Sequence, residues 1–399
     1  MFIRKTQIPM NNIEGRISID ISTKLSNNNR INIHSNRPTY LSNLFVGKSP
    51  KDVLEITPLI FSICGSAQSI TALRAIENQQ GTEINSLRES AQNIIILIES
   101  VKEHLLRILL DWPKLFQLEK PSAPLAFITQ LVNKAKQALF KDGSAYQLDS
   151  KLDIDQQAIK NLITEIQQIL ERWVFNEPYK QWLERTDYQS LIQWSQRNQA
   201  ISAQSVDRII KNNWHHQCFS SCQLLPDFDP EELHKSFSAS NSSSFIAEPM
   251  WQGEYFETGP LARQNNNHLL KMLNKDFKNG LLTRWVSRLV ELAETPSQLN
   301  LLIQQLSYNP KTFSNESQPI GLAETETARG RLIHRVKIKN NKIEQYQILA
   351  PTEWNFHPKG LIYKSLQNIN VKRKSEIEPL AHLLINAIDP CVGYKLRVH

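Results

Sequence analysis

The chain has 399 residues, 40% hydrophobic and 21% charged, with 12 Gly and 19 Pro. That composition excludes a disordered or collagen-like chain, and at about 150 residues per domain the length suggests two to three domains. The 46 Lys and Arg against 39 Asp and Glu leave +7 without a dense basic stripe, so charge gives no reason to expect nucleic-acid binding.

Residues 1–49 read as a β region. Ile17, Ile19 and Ile21 alternate with polar residues, Asn27-Asn28-Asn29 supplies a turn, and Ile31 and Ile33 resume the alternation. From Pro50 to about residue 212 the period becomes helical. Leu87, Ala91, Ile94, Ile98, Val101, Leu105 and Ile108 recur at spacings of four and three, and Pro113 is expected to end the run. Ala158, Leu162, Ile166, Ile169 and Trp173 mark a second amphipathic helix, and shorter ones are predicted at 178–197 and 199–212. Trp173, Trp182 and Trp194 read as helix packing.

Residues 236–245 are a polar loop by composition, and a helix pair is predicted over 266–306. Leu332, His334, Val336 and Ile338 then alternate, Asn340-Asn341 turns the chain, and Tyr346, Ile348 and Ala350 alternate back as a hairpin. After a solvated basic loop, Lys372-Arg373-Lys374, a last helix at 376–388 runs into the C-terminal tail. The sum is an α+β chain, mainly α. It has a β region at 1–49, a helical core at 50–235, a polar loop at 236–245 and a mixed segment at 246–399, all in one intertwined unit.

The longest apolar stretches, Ile94–Ile98 and the one around Leu59–Cys64, are far shorter than the roughly 20 residues a membrane helix needs. Met1-Phe2-Ile3-Arg4-Lys5 is followed by polar residues and not by a secretory apolar core. A cytoplasmic protein without a membrane segment is expected. Its four cysteines, Cys64, Cys218, Cys222 and Cys391, are too few for a disulfide scaffold and in a reducing setting would be buried, reactive or metal-bound. His215, His216, Cys218 and Cys222 form one compact donor set. On a helix the two cysteines would share a face, and four nitrogen and sulfur donors could suit zinc. Against this, Cys-x-x-x-Cys beside adjacent histidines is not a common zinc spacing, Pro226 soon interrupts the segment, and a half-exposed helix end is the simpler reading.

Cys64 and Cys391 gain meaning from the segments around them. Ile13-Glu14-Gly15-Arg16 opens the first strand, and Cys64-Gly65-Ser66-Ala67 enters a helix. Thr258-Gly259-Pro260-Leu261-Ala262-Arg263 lies mid-chain, and Thr327-Ala328-Arg329-Gly330 precedes the hairpin. Ala350-Pro351-Thr352-Glu353-Trp354-Asn355 ends it, and Asp389-Pro390-Cys391 sits near the C-terminus. In this order the set resembles the large subunit of nickel–iron hydrogenases, over about residues 13–399. The resemblance implies a large-subunit-like helical core with peripheral β hairpins.

In that family each of two Cys-x-x-Cys pairs supplies one terminal nickel thiolate and one thiolate bridging nickel to iron. Here the first member of each pair is kept, as Cys64 and Cys391, while the bridging positions hold Ala67 and Tyr394. A methyl group has no lone pair, and a phenol with a pKa of about 10 is a poor replacement for a soft bridging thiolate. The family histidine after the first pair falls on Thr71, the arginine before it on Ser62, and a glutamate tied to a magnesium site on Ser42. A complete nickel–iron centre is therefore not expected, nor is catalysis.

The chain looks like the large-subunit-like hydrogenase accessory proteins of the HupK type, which act in maturation. The resemblance implies a scaffold or carrier for the iron–cyanide–carbonyl fragment, held transiently. Cys64 and Cys391 would be its ligands, Arg329 an outer donor to the cyanides, and Glu14 a local acid–base or hydrogen-bonding group. The expected partners are maturation chaperones and hydrogenase subunits. His104 aligns with a family helix histidine near the cluster, but a hydrogen-bonded core histidine is the simpler account. The competing function is a metal-free protein that mimics the large subunit and docks maturation partners, with the two thiols inert and Glu14 and Arg329 a structural ion pair.

Overall fold

The structure, a computed structural model, describes residues 15–24, 30–37, 39–61, 63–308, 311–313 and 320–399. Glu14 and Ser62 lie outside these. The isoleucine alternation builds β1 (Arg16–Ile21) and β2 (Ile31–Ser35), antiparallel, with Ile17, Ile19 and Ile21 fully buried. Ser49 and Asp52 cap each other at the start of α1 (Pro50–Ile60). Helix α2 (Gly65–Gln80) begins directly after Cys64, and α3 (Ser86–Leu106) starts at Asn85, whose side chain accepts from the Leu87 and Arg88 N–H groups.

Pro113 does not end this run. A π-helical turn, Arg107–Asp111, inserts before it, and the Trp112 N–H reaches back five residues to the Arg107 carbonyl. The helix then continues over Trp112–Phe116, with proline in its first turn where no N–H is needed. The second predicted amphipathic helix is α4 (Gln156–Ile169), and α5 (Ile201–Lys211) closes the helical core. Trp182 and Trp194 pack edge to face inside it, ring centroids 5.8 Å apart.

The polar stretch at 236–245 is not a loop. It holds the end of α6 (Pro230–Ser238) and most of α7 (Ser242–Ala247). Asp229 caps α6, and Leu233, Phe237 and Ile246 bury against Trp251 and Trp354, so a few apolar side chains outweigh the serine-rich composition.

The expected helix pair is α8 (His268–Phe277) and α9 (Leu281–Gln305). Helix α9 is buried over most of its length, its Trp285 packed at a tilt against Trp112 with ring centroids 4.0 Å apart. The predicted hairpin is part of a three-stranded antiparallel sheet, β3 (Leu322–Thr327), β4 (Gly330–Lys339) and β5 (Lys342–Leu349). Asn340 and Asn341 both take positive φ at the β4–β5 turn. A short helix α10 (Pro351–Asn355) follows, then α11 (Ile377–Ile388).

The C-terminal tail is a strand, β6 (Gly393–Val398), parallel to β1 with Arg16 opposite Gly393 and Ile21 opposite Val398. The sheet order β6-β1-β2 joins the two ends of the chain. That pairing places Cys391 beside the start of β1. Among the described residues, no helix is long and apolar enough to cross a membrane.

One core residue sets a pH limit. His334 is fully buried on β4, donating from Nε2 to Gln68 Oε1 (2.8 Å) on α2 and accepting at Nδ1 from the Tyr346 hydroxyl (2.8 Å). Burial pushes its pKa down to about 3. In the unfolded chain it titrates near 6.5, so below that pH the unfolded state takes up a proton that the folded state refuses. Stability is complete above pH 6.5 and falls by about 1.4 kcal/mol per unit as pH drops towards 3. Urea midpoints between pH 7.5 and 5 should show this fall. In His334→Gln the slope should flatten by up to one proton.

Candidate metal-fragment site

Cys64 occupies the N-cap of α2, and its thiol does not cap. The cap comes instead from α3. Both oxygens of the buried Glu99 carboxylate accept N–H bonds at 2.9 Å, one from Ser66 and one from Ala67. Burial raises the Glu99 pKa, and these two N–H groups work against that rise. Ala67 is sealed against Leu332 and Ala350. Thr71, where the family histidine would fall, is buried with its hydroxyl bonded to the Ala67 carbonyl at 2.6 Å.

Arg329 enters from a two-residue turn between β3 and β4, Thr327 pairing with Gly330. Its buried guanidinium donates from one Nη to Cys64 Sγ at 3.3 Å and from the other to Glu103 Oε2 at 3.0 Å. Its Nε lies 3.5 Å from Asp389. Cys391 lies between Asp389-Pro390 and β6, its sulfur 2.7 Å from the Thr352 hydroxyl on α10. Arg37, beyond β2, pairs with Glu353 on the same short helix.

The two thiols share one electrostatic environment. Burial pushes the Cys64 thiol well above its ordinary value, Arg329 opposes this, and charge on Cys391 adds to it. Arg37 and Arg329 both feel the two sulfurs. Cys64 and Cys391, separated by nearly the whole sequence, thus come within electrostatic reach of each other and of the same two guanidiniums.

The sequence motifs supply the frame. Asn355 donates to the carbonyls of Thr258 (2.9 Å) and Arg329 (3.4 Å) and accepts from the Thr258 N–H (3.0 Å). The Thr258 hydroxyl accepts from the Arg331 N–H at 2.9 Å. Three separate motifs therefore lock the turn that carries Arg329.

Tyr394, at the second bridging position, points to α11, its hydroxyl 2.8 Å from His382 Nδ1. His104 is buried in another network. Its Nε2 donates to Glu291 (2.9 Å), whose carboxylate takes two bonds from Arg263, at 2.6 and 2.9 Å. Burial pushes the His104 pKa down; for Glu291 burial works the other way, but Arg263 and His104 hold its carboxyl at about 2. Its place is the core hydrogen-bonded one.

The donor set at His215, His216, Cys218 and Cys222 is not helical, because α5 ends at Lys211 and Cys218 takes φ 61°. Here the His215 ring packs on Phe277 (4.6 Å), His216 meets the Gln217 amide (3.2 Å), and burial pushes the Cys218 thiol up to about 12. Among the described residues, no three or more His, Cys, Asp or Glu side chains are arranged to hold a metal ion, and the half-exposed helix end expected here is instead a non-helical segment with both cysteines buried.

Sequence reasoning missed Glu99, Glu103, Arg107, Arg288, Asp389 and Arg37. Arg288 and Glu103 had a readable signal as charges within apolar helical runs; Arg37 had none.

A model of the nickel-dependent hydrogenase family matches residues 189–394. The chain is 24% identical to the hydrogenase expression/formation protein HupK of Azotobacter vinelandii over 385 residues, 96% of this chain and 98% of that one. It is likewise 24% identical to HoxV of Cupriavidus necator, covering 92% of each. An uptake hydrogenase large subunit of Rhizobium leguminosarum bv. viciae is 30% identical over 192 residues, 39% of this chain and 32% of that one. In fold the chain is similar to the Ni-Fe-Se hydrogenase of D. vulgaris Hildenborough, with TM-score 0.63, 16% identity and 90% and 92% of the two chains covered. By its family match and full-length likeness, the chain belongs to the nickel-dependent hydrogenase family, as a large-subunit-like member with Ala67 and Tyr394 at the two expected bridging-thiolate positions.

Proposed function

We propose that the protein acts in hydrogenase maturation, as a scaffold or carrier that holds the iron–cyanide–carbonyl fragment before its transfer to a catalytic large subunit, and is not itself a catalyst. The observation that supports this most is the Cys64 thiol held against Arg329 with Cys391 within electrostatic reach of both, while Ala67 and the His382-bound Tyr394 stand where bridging thiolates would be expected. Two thiolates can hold one soft metal fragment, but they cannot build a binuclear centre. Arg329 supplies N–H groups suited to cyanide nitrogens, and Asp389 and Glu103 fix its orientation. The expression/formation names of the full-length relatives agree with this reading, and maturation chaperones are its expected partners.

The second reading, a metal-free mimic that docks the same partners, has its own observation. Each sulfur already has a protein hydrogen-bond partner, Arg329 for Cys64 and Thr352 for Cys391. Anoxic purification with co-expressed maturation proteins, followed by infrared spectroscopy, separates the two. A carrier should show cyanide and carbonyl stretches that vanish in Cys64→Ala and Cys391→Ala and weaken in Arg329→Lys. If the parent protein has no such bands but still captures maturation partners, the carrier reading is overturned in favour of the mimic.

A further inference from the structure

A cleft of about 420 Å³ lies between α8, the mid-chain motif at Leu261 and the segment 220–224. On α8, Lys271 and Asn274 share a face at a spacing of three, and Lys278 follows directly after the helix. The segment 220–224 forms another wall. Asn279 fixes it, accepting at Oδ1 from the Ser220 N–H (2.9 Å) and donating from Nδ2 to Ser220 Oγ (3.1 Å). Gln223 and Leu224 in this wall pair in parallel with Phe256 and Glu257 in a sheet of two strands, so their strand has a second edge without a partner strand.

The cleft carries positive charge without a counter-charge of its own. No carboxylate lines it, and among the described residues no acidic group pairs with Lys271 or Lys278 within 4.0 Å. The Lys278 ammonium lies over the Phe219 ring at 4.2 Å, a contact that leaves its charge in place. The side-chain amides of Gln223, Asn265 and Asn274 are exposed, and none bonds another described residue. Two other clefts differ, because their carboxylates are already paired: Glu77 with Arg88 at 2.6 Å, and Glu326 with Arg331 at 2.9 Å.

Spacing decides what kind of anion fits. Lys271 and Lys278 are seven residues apart, about 10 Å along the helix direction, so they suit two separate negative charges better than one small oxyanion. In an extended peptide, alternate side chains lie on one face about 7 Å apart, while the residue between them points to the other face. Two acidic residues flanking an apolar one match this pattern. The rim amides each offer an N–H and a C=O, the pair that a peptide bond needs. The geometry points to a docking site for an extended acidic segment of a partner protein. Its carboxylates meet Lys271 and Lys278, the side chain between them packs on Leu224, and its main chain meets the rim amides. This site is independent of the metal-fragment reading.

Fluorescence polarisation with the full-length protein tests it, using the end-blocked, fluorescein-labelled peptide Gly-Glu-Leu-Asp-Gly. The peptide should bind saturably at millimolar concentration or below, and more weakly as salt rises. Replacing both of its acids with glutamine should weaken binding about tenfold or more, and so should Lys271→Glu or Lys278→Glu, which set like charges against each other. Lys271→Arg should keep most of the affinity. Both lysines are exposed, so these variants should melt with the parent, which separates lost docking from lost folding. Lys160→Glu, on α4 and outside the cleft, controls for net charge. The proposal is overturned if the peptide does not bind, if inorganic phosphate at equal ionic strength displaces it completely, or if Lys160→Glu weakens binding as much as Lys271→Glu.

Discussion

Asp389→Ala is expected to cost about 3–5 kcal/mol, the usual penalty for leaving buried charge without its partner. Asp389 is 3% exposed and lies 2.7 Å from Arg107, 3.5 Å from Arg329 and 3.8 Å from Arg288. Burial alone would raise its carboxyl, but the three guanidiniums hold it below the ordinary aspartate value. Without it, Arg288 suffers most. That side chain is 2% exposed, its Nε and one Nη already have no hydrogen-bond partner, and burial has lowered its pKa to about 10. Urea denaturation should show a lower midpoint with little change in slope. Adding Arg288→Met should return part of the loss, because it replaces a stranded cation with an apolar side chain of similar length. If the double variant is less stable than Asp389→Ala alone, the charge account of this cluster fails. Asp389 also sets the direction of the chain into Cys391. It ends α11 at φ 63°, and its N–H bonds the Ile385 carbonyl at 2.8 Å.

Gly330→Ala is the second large effect. At φ 128° the backbone is in a region that non-glycine residues avoid, costing about 1–3 kcal/mol. An added Cβ would also lie 2.5 Å from Thr258 Oγ1 and 2.6 Å from its Cγ2. Overpacking of that kind costs a further ~1–3 kcal/mol. The midpoint of urea unfolding should fall accordingly. Thr258→Ala in the same chain should recover part of the loss, since it removes both crowded atoms. A single Gly330→Ala variant as stable as the parent would mean that the two motifs do not approach so closely. The same substitution would shift Arg329, one residue earlier, so the thiol site should loosen together with the fold.

These two residues show why parts of the molecule were legible in sequence and others were not. Gly330 stands inside a motif, so its place before the hairpin is visible in the sequence, while its close approach to Thr258 is not. Asp389 also stands inside one, yet nothing in Asp-Pro-Cys reveals that Arg107 and Arg288, on two different helices, converge on it. The long amphipathic helices were readable because one buried face repeats along a single element. Pro113 was misread because a π-turn absorbed it, and 236–245 because a few buried aromatic and aliphatic side chains decided the helices against the composition. The tail at 393–398 carries only weak alternation, and its partner strand is at the other end of the chain.

The sequence by itself determined the family resemblance, the helix-dominated class, and that Cys64 and Cys391 stand with Ala67 and Tyr394 three residues on where the resemblance implies paired thiolates, because each is a matter of residue type and order. Only the tertiary structure decided that Glu99 caps the Cys64 helix, that Arg329 donates to Cys64 while bound to Glu103, that Tyr394 is committed to His382, and that His104 and the Cys218 segment lie in other networks. These facts depend on which distant groups share a buried volume. Unpaired charges and N–H groups are costly there, so partners are chosen across the fold and not along the chain.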